Sequence, residues 1–70
     1  MNNILKGNWN QLKGQVQKSW GKLTNDDMDQ IQGNYNLLVG KLQEKYGYSK
    51  VQAQQEVDNF LAKNQQQQTH

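Results

Sequence analysis

The fold is decided by a segment that the chain uses twice: residues 7–23 read GNWNQLKGQVQKSWGKL, and residues 33–49 read GNYNLLVGKLQEKYGYS. The two copies align without a gap, from position 7 onto position 33. Self-similarity at a fixed period is typical of a repeated supersecondary unit, and two units are too few for a solenoid. We therefore expect two helical hairpins that pack on each other. The identical pairs are Gly7 and Gly33, Asn8 and Asn34, Asn10 and Asn36, Leu12 and Leu38, Gly14 and Gly40, Gln17 and Gln43, and Gly21 and Gly47; Trp9 with Tyr35 and Trp20 with Tyr46 are aromatic pairs.

Apolar residues recur every three or four positions, which is the spacing of one face of an α-helix. The predicted stripe consists of Leu5, Trp9, Leu12, Val16 and Trp20 in the first unit, of Met28, Ile31, Tyr35, Leu38 or Val39, Leu42 and Tyr46 in the second, and of Ala53, Val57, Phe60 and Leu61 in the last segment. No segment alternates with a period of two, so no strand is expected. The pattern predicts an all-α fold of four short helices, near residues 4–20, 25–32, 34–46 and 50–62, paired as two helical hairpins. Whether the second and third helices are separate is left open, because one apolar stripe passes through Gly33 without a change of phase.

Turn and capping residues separate the predicted helices. Gly21 and Gly47 each follow an aromatic residue and are expected to be C-terminal caps. Thr24 and Asp27 have the spacing of a capping box, with Asp in place of the usual Glu, and Ser49 takes the same part in the second unit. The helical pattern stops soon after residue 62. We expect one domain over residues 1–63 and a disordered polar tail, NQQQQTH, over 64–70.

The composition is that of a small and very polar chain. In 70 residues, Asn and Gln number 22, whereas Leu, Ile, Val and Phe number 14, a share at the threshold of disorder. The net charge is only +2, however, and disorder by composition usually needs strong charge as well. A chain of this length buries only roughly 60% of its unfolded surface, so its stability should be marginal.

The residue types present exclude most covalent and metal chemistry. There is no Cys, and the single histidine is His70. A lone histidine builds neither a metal cluster nor a catalytic triad, so we assign no catalytic, cofactor-binding or metal residue and expect no cofactor and no enzyme. Neither a signal peptide nor an apolar stretch of the ~20 residues that cross a bilayer is found. We expect a cytoplasmic monomer that does not bind a membrane.

Acidic residues cluster at Asp26, Asp27 and Asp29, next to Asn25. A calcium loop is one interpretation, but the spacing lacks the internal Gly and the terminal Glu of an EF-hand. Carboxylates in the first turn of a helix also interact favourably with the positive end of its dipole. We favour this structural role.

The aromatic residues allow two interpretations. Trp9, Trp20, Tyr35 and Tyr46 could stack on the bases of single-stranded nucleic acid. They share a helical face with Leu12 and other aliphatic residues, however, so packing in the core is favoured.

The eight lysines and the pI near 9.0 raise the question of nucleic-acid binding. On a helical projection Lys6 and Lys13 flank the apolar stripe while Lys18 points away, and no basic stripe emerges. The chain has no Arg, the residue that reads guanine and phosphate by two parallel hydrogen bonds. Nucleic acid is therefore the weaker of the partner hypotheses, and the partner and its binding residues stay unknown.

Three glycines in each unit are spaced by seven residues and fall on the outer face of their helix, which in the first unit holds Gly7 and Gly14. Either some are caps and the others are tolerated, or this glycine face admits the close approach of a partner helix or a phosphate strand. Because Gly inside a helix costs about 1 kcal/mol relative to Ala, replacing such glycines by Ala should raise the melting temperature.

Four stretches together resemble the CsbD-like family of small bacterial general-stress proteins: GNWNQLKG at 7–14, WGKLTNDD at 20–27, LVGKLQEKYGYSK at 38–50 and AQQEVDNF at 53–60. The resemblance implies a small helical fold of two crossed, orthogonally packed hairpins similar to SAM-like domains, expression under stress, and no established biochemical activity. Members are also similar to hydrophilins, the polar, glycine-rich proteins associated with water deficit. This chain departs from the family pattern in being richer in Asn and Gln and poorer in charge.

Two functions are therefore carried forward. The first is a stress-response protein of hydrophilin type that shields other macromolecules when water is scarce. The alternative is a helical module that binds nucleic acid or protein, as other SAM-like domains do, which is an analogy at the level of the fold alone.

Overall fold

The computed structural model describes the backbone of residues 2–68 and the side chains of residues 5–63. Over this part the chain is all-helical, as predicted, and no strand is present. There are five helices rather than four: α1 Asn2–Gly7, α2 Trp9–Ser19, α3 Asn25–Ile31, α4 Tyr35–Tyr46 and α5 Lys50–Gln68.

The first predicted helix, residues 4–20, is broken in two, so that prediction was wrong. Asn8 leaves the helical conformation, with φ −115° and ψ 20°, and α2 begins after it. The Asn8 carbonyl accepts hydrogen bonds from the N–H groups of Gln11 and Leu12, at 3.0 and 2.9 Å. Gly7, a poor helix former, precedes the break. The change of direction lets α1 bury Leu5 completely.

α3 and α4 are separate helices, which settles the question left open at Gly33. Gln32 and Gly33 both have positive φ, at 46° and 80°, so the helix ends there. Asn34 then caps α4, because its side-chain oxygen accepts the N–H of Leu37 at 3.1 Å. Gly33 is therefore not in a helix interior, and the cost expected for a helical glycine does not apply to it.

The predicted capping box at the start of α3 is confirmed. The Thr24 hydroxyl accepts the Asp27 N–H at 3.2 Å, and the Asp27 carboxylate accepts the Thr24 N–H at 2.9 Å. Ser49 repeats the first half of this motif, accepting the Gln52 N–H at 3.1 Å where α5 begins. Side chains thus cap two N–H groups at the start of α3 and one at the start of α5.

Only one of the two predicted glycine caps has the expected geometry. Gly47 is left-handed, with φ 72°, and its N–H bonds to the Gln43 carbonyl. In the first unit the C-cap is Trp20, with φ −128°, and its N–H bonds to the Val16 carbonyl at 2.8 Å. The prediction for Gly21 was wrong. The helix α2 ends one residue earlier than predicted, and its C-cap, Trp20, is not in the left-handed conformation.

The core contains the apolar stripe that the sequence predicts. α4 is central and packs against α1, α3 and α5. How the two hairpins cross, and any likeness to SAM domains, stay predictions. The buried residues are Leu5, Leu12, Val16, Trp20, Leu23, Met28, Ile31, Leu38, Val39, Leu42, Ala53, Val57, Phe60 and Leu61.

The last helix is longer than expected. It was predicted to end near residue 62, whereas α5 continues to Gln68. Gln and Ala have good helix propensity, so the polar stretch can extend a helix that the core has already nucleated. Residues 69 and 70 lie outside the described part, and disorder of the tail over 64–70 stays a prediction.

We expect the double substitution Gly14→Ala and Gly40→Ala to raise the melting temperature by about 5 to 10 °C, from up to ~1 kcal/mol at each site. Both glycines lie in helices and are exposed, and an added Cβ would meet no atom within 4 Å. Thermal melting followed by circular dichroism measures the change. Gly21→Ala, in an exposed turn, is the control and should have a smaller effect. A lower melting temperature for the double variant would mean that the helix surfaces at Gly14 and Gly40 contact another molecule too closely to admit a methyl group.

Candidate functional site

The acidic cluster does not form a calcium loop. Asp26 and Asp29 are exposed, whereas Asp27 is buried and turns back to cap its own helix. Over the residues described, no three His, Cys, Asp or Glu side chains are grouped so that they could hold a metal ion. The structural role that we favour for these carboxylates is therefore supported. Asp27 does more than interact with the helix dipole, because its side chain also caps the helix.

Asp27 also joins α3 to α4. Its carboxylate oxygens lie 3.4 Å from the Nζ atoms of both Lys41 and Lys45, and its side chain is only 6% exposed. Lys41 continues the network to Glu44, at 3.7 Å. The Thr24 N–H lowers the pKa of Asp27, and the Lys45 ammonium adds to this, against the opposing effect of burial. The capping carboxylate is thus held ionised in the interior.

Sequence reasoning missed the partners of Asp27, and the pattern contained only a weak signal for them. Lys41 and Lys45 are four residues apart, so they lie on one face of α4. Two lysines at this spacing are usually placed on a solvated face, and nothing local relates them to residue 27. Only the packing of α3 on α4 brings the three together.

The aromatic residues belong to the core or pack against it, as favoured. Trp20 is buried and its ring lies 5.3 Å from that of Phe60, at an interplanar angle of 51°. Trp9 and Tyr35 are partly buried against the same core. The Tyr35 hydroxyl donates to the Asp58 carboxylate at 2.9 Å, and burial together with this bond raises the pKa of Tyr35. These rings have structural partners and are not a free stacking platform.

Tyr46 connects the turns of the two units. Its hydroxyl accepts the backbone N–H of Lys22 at 3.1 Å, and the Lys22 ammonium lies 5.1 Å from the centre of its ring. The Tyr48 ring stacks on that of Tyr46, at 5.4 Å and 11°. The cation and the stacked rings hold the turn after α2 against the end of α4.

The glycine face is open to solvent in the first unit. Gly7, Gly14 and Gly21 are exposed, and so is Gly40 in the second. At all four an added Cβ would meet nothing within 4 Å, so no contact inside the described part of the chain requires their small size. Gly33 is the exception, since it is buried against α1.

The lysines of α1 and α2 are exposed. Lys6, Lys13 and Lys18 extend into solvent and make no ion pair within residues 5–63. Asn10 and Gln15, also exposed, lie near them along the helix. Lys50 and Lys63 of α5 are also exposed and without an ion pair in this range, but Glu56 and Asp58 lie between them on the helix.

An open cleft of about 430 Å³ separates the end of α2 from the second half of α5. Trp20 and Phe60 form its floor and are largely covered, while Glu56, Asn59 and Lys63 form its rim. Ser19 also lines the cleft, so the polar groups of the cleft are a hydroxyl, a carboxylate, an amide and an ammonium group. His70, the single histidine, lies outside the described residues.

None of the helices described between residues 2 and 68 combines the length and the apolar character needed to cross a bilayer.

Comparison with known proteins identifies a family and several relatives. The family model described as CsbD-like matches residues 3–55. The chain is 53% identical to the UPF0337 protein RPA4217 of Rhodopseudomonas palustris over 59 residues, 84% of this chain and 89% of the relative. It is 54% identical to the UPF0337 protein YjbJ of Escherichia coli K12 over 58 residues, 83% of this chain and 84% of the relative. No solved structure matches.

Proposed function

The chain belongs to the CsbD-like family, and from this membership we propose that it is a small bacterial stress-response protein that acts as a hydrophilin-like protectant. It would work through abundance and surface chemistry, in the cytoplasm, as a monomer and without catalysis. The observation that carries the proposal is the polarity of its surface: among the side chains of residues 5–63, the large apolar ones that are exposed are Leu37 and Val51.

Amide side chains give this surface its chemistry. An Asn or Gln side chain offers two N–H donors and a carbonyl acceptor, so it can bond to either kind of polar group. Exposed amides on every helix from α2 to α5 include Asn10, Gln15, Gln30, Asn36 and Gln55. When water is withdrawn, such groups can take the place of bridging waters at the surfaces of other macromolecules.

The small number of large apolar side chains exposed among residues 5–63 is compatible with this mode of action. The exposed surface contains few apolar groups, so concentrated protein has little drive to associate. Mean hydropathy is −1.16, and the net charge is only +2. The protectant would then contact many surfaces weakly instead of one surface tightly.

The test is protection of a labile enzyme through drying. We expect the enzyme to keep a larger fraction of its activity with this protein than with an equal mass of an unrelated small protein. A variant with Asn10, Gln15, Gln30, Gln52 and Gln55 replaced by Ala loses exposed amides at sites where Ala supports the helix, and it should protect less. Equal protection by this protein and by the unrelated one would contradict the proposal.

A further inference from the structure

Charge is divided unevenly along the chain. Residues 1–24 contain Lys6, Lys13, Lys18 and Lys22 and no acidic residue, so they carry +4. The remaining residues carry four lysines and all six acidic residues, or −2, and the two parts sum to the net +2. The first two helices and the turn after them are therefore the basic part of a nearly neutral protein.

Folding pairs some of these lysines with carboxylates and leaves others unpaired. Lys41 and Lys45 are engaged by Asp27 and Glu44 in the α3–α4 network. Lys6, Lys13 and Lys18 have no carboxylate partner among residues 5–63, and the Lys22 ammonium lies over a tyrosine ring. Lys50 and Lys63 are also unpaired among residues 5–63, but they share α5 with Glu56 and Asp58, whereas the lysines of α1 and α2 have no acidic residue on their own helix.

The groups between these lysines suit phosphate oxygens better than bases. Asn10, Gln11 and Gln15 are exposed N–H donors, and Gly14 lets a strand approach the helix backbone. Both tryptophans of this segment are turned to the core, so no aromatic ring is offered for stacking on an unpaired base. Lysine recognises phosphate as a point charge and does not read base edges by a bidentate pair.

We propose that exposed groups of α1 and α2, namely Lys6, Asn10, Lys13, Gly14 and Lys18, dock on the phosphate backbone of duplex DNA without regard to sequence, and we call this set the basic face. Long lysine side chains let ammonium groups at the edge and the centre of the face reach the same strand. The proposal goes beyond the protectant function and does not depend on it.

The strength of this contact should depend steeply on salt. If the three lysines of the basic face each neutralise one phosphate, the logarithm of the affinity falls with the logarithm of salt at a slope of about −2.7. Raising salt from about 50 to 150 mM then weakens binding about 20-fold. Contact through hydrogen bonds of the amides alone would give almost no slope.

The experiment is fluorescence anisotropy of a labelled duplex titrated with the full chain at both salt concentrations. The test variant is Lys13→Gln with Lys18→Gln, and the matched control is Lys50→Gln with Lys63→Gln, which removes the same charge from exposed positions of α5. We expect the test variant to bind on the order of 100-fold more weakly at about 50 mM salt and to lose about 1.8 from the slope. The control should change little, and thermal melting verifies that both are folded.

Three results would overturn the proposal. One is the absence of binding at low salt. Another is an equal loss in both variants, which would mean attraction by net charge alone. The third is binding to vesicles containing phosphatidylglycerol but not to the duplex, which would assign the face to an anionic membrane. Failure to protect dried enzymes bears on the protectant function and not on this one.

Discussion

Replacing Gly33 by alanine is expected to remove most of the protein's free energy of unfolding at 25 °C. Gly33 has φ +80°, a conformation that costs an L-residue about 1 to 2 kcal/mol. Its added Cβ would lie 2.8 Å from the Cα of Lys6 and 3.2 Å from the Cβ of Trp9. The nearest atoms are a backbone atom and a Cβ, neither of which can rotate away, so α1 would have to move to relieve the steric clash. Together these effects should cost about 3 kcal/mol, against a net stability of about 3 to 5 for a core of this size.

Comparison with Gly47→Ala separates the two causes of destabilisation, which are the positive φ and the close contact of the added Cβ. Gly47 also has positive φ, at +72°, but an added Cβ there would meet nothing within 4 Å. Its replacement should therefore cost only the conformational part, about 1 kcal/mol. Urea unfolding of the two variants and the wild type measures both. If Gly33→Ala were no less stable than Gly47→Ala, the close approach of α1 to the α3–α4 junction would not exist in solution.

Local signals in the sequence were sufficient for most of the fold. The apolar stripe predicted all fourteen buried apolar residues except Leu23, whose place in a turn gives it no periodic neighbours. Val39 was predicted only as an alternative to Leu38, and both are buried. Caps at Thr24, Ser49 and Gly47 were predicted from residue types a few positions apart. These features depend on contacts within one or two turns of a helix, which is why a single sequence specifies them.

What the sequence could not specify depends on contacts between distant segments. Gly33 looked like a tolerated helical glycine because its pairing with Gly7 in the repeat suggested the same role. Its real constraint comes from Lys6, which lies in another helix. The break at Asn8 has the same origin, since α1 must turn to reach that junction. Equivalent positions of a repeat are equivalent in sequence but not in their tertiary neighbours.

The predictions for the candidate surfaces divide in the same way, into features that depend on local spacing and features that depend on contacts between distant segments. That the aromatics pack and that the acidic cluster caps a helix were both predicted from spacing. The neutralisation of Lys41 and Lys45 was not, and it changes how the lysines are interpreted. The uneven division of charge is already present in the sequence, and the folded chain adds the distinction between paired and unpaired lysines.

Asp27→Ala is expected to lower the free energy of unfolding by about 2 to 3 kcal/mol at pH 7. The Thr24 N–H loses its acceptor at 2.9 Å, and Lys41 and Lys45 lose the carboxylate that lies between them. Asp26→Ala is the matched control, because Asp26 is an exposed carboxylate in the same first turn and contributes only its interaction with the helix dipole, about 0.3 to 1 kcal/mol. Urea unfolding distinguishes them. Equal losses would mean that the buried network adds nothing to stability.

The pH dependence identifies the charge on Asp27 as the cause. The pKa of Asp27 lies below its ordinary value of 3.8 in the folded protein, chiefly because its carboxylate accepts the Thr24 N–H. A group with a lowered folded pKa adds its full stability above the unfolded value and loses it as pH falls through the folded one. Asp27→Asn keeps the shape and the acceptor but not the charge. The wild type should therefore exceed this variant in stability at pH 7, and the difference should shrink below pH 4 because the wild-type carboxyl becomes protonated too. A difference that stayed constant down to about pH 2.5 would show that the shape of the cap, and not its ionisation, holds α3 against α4.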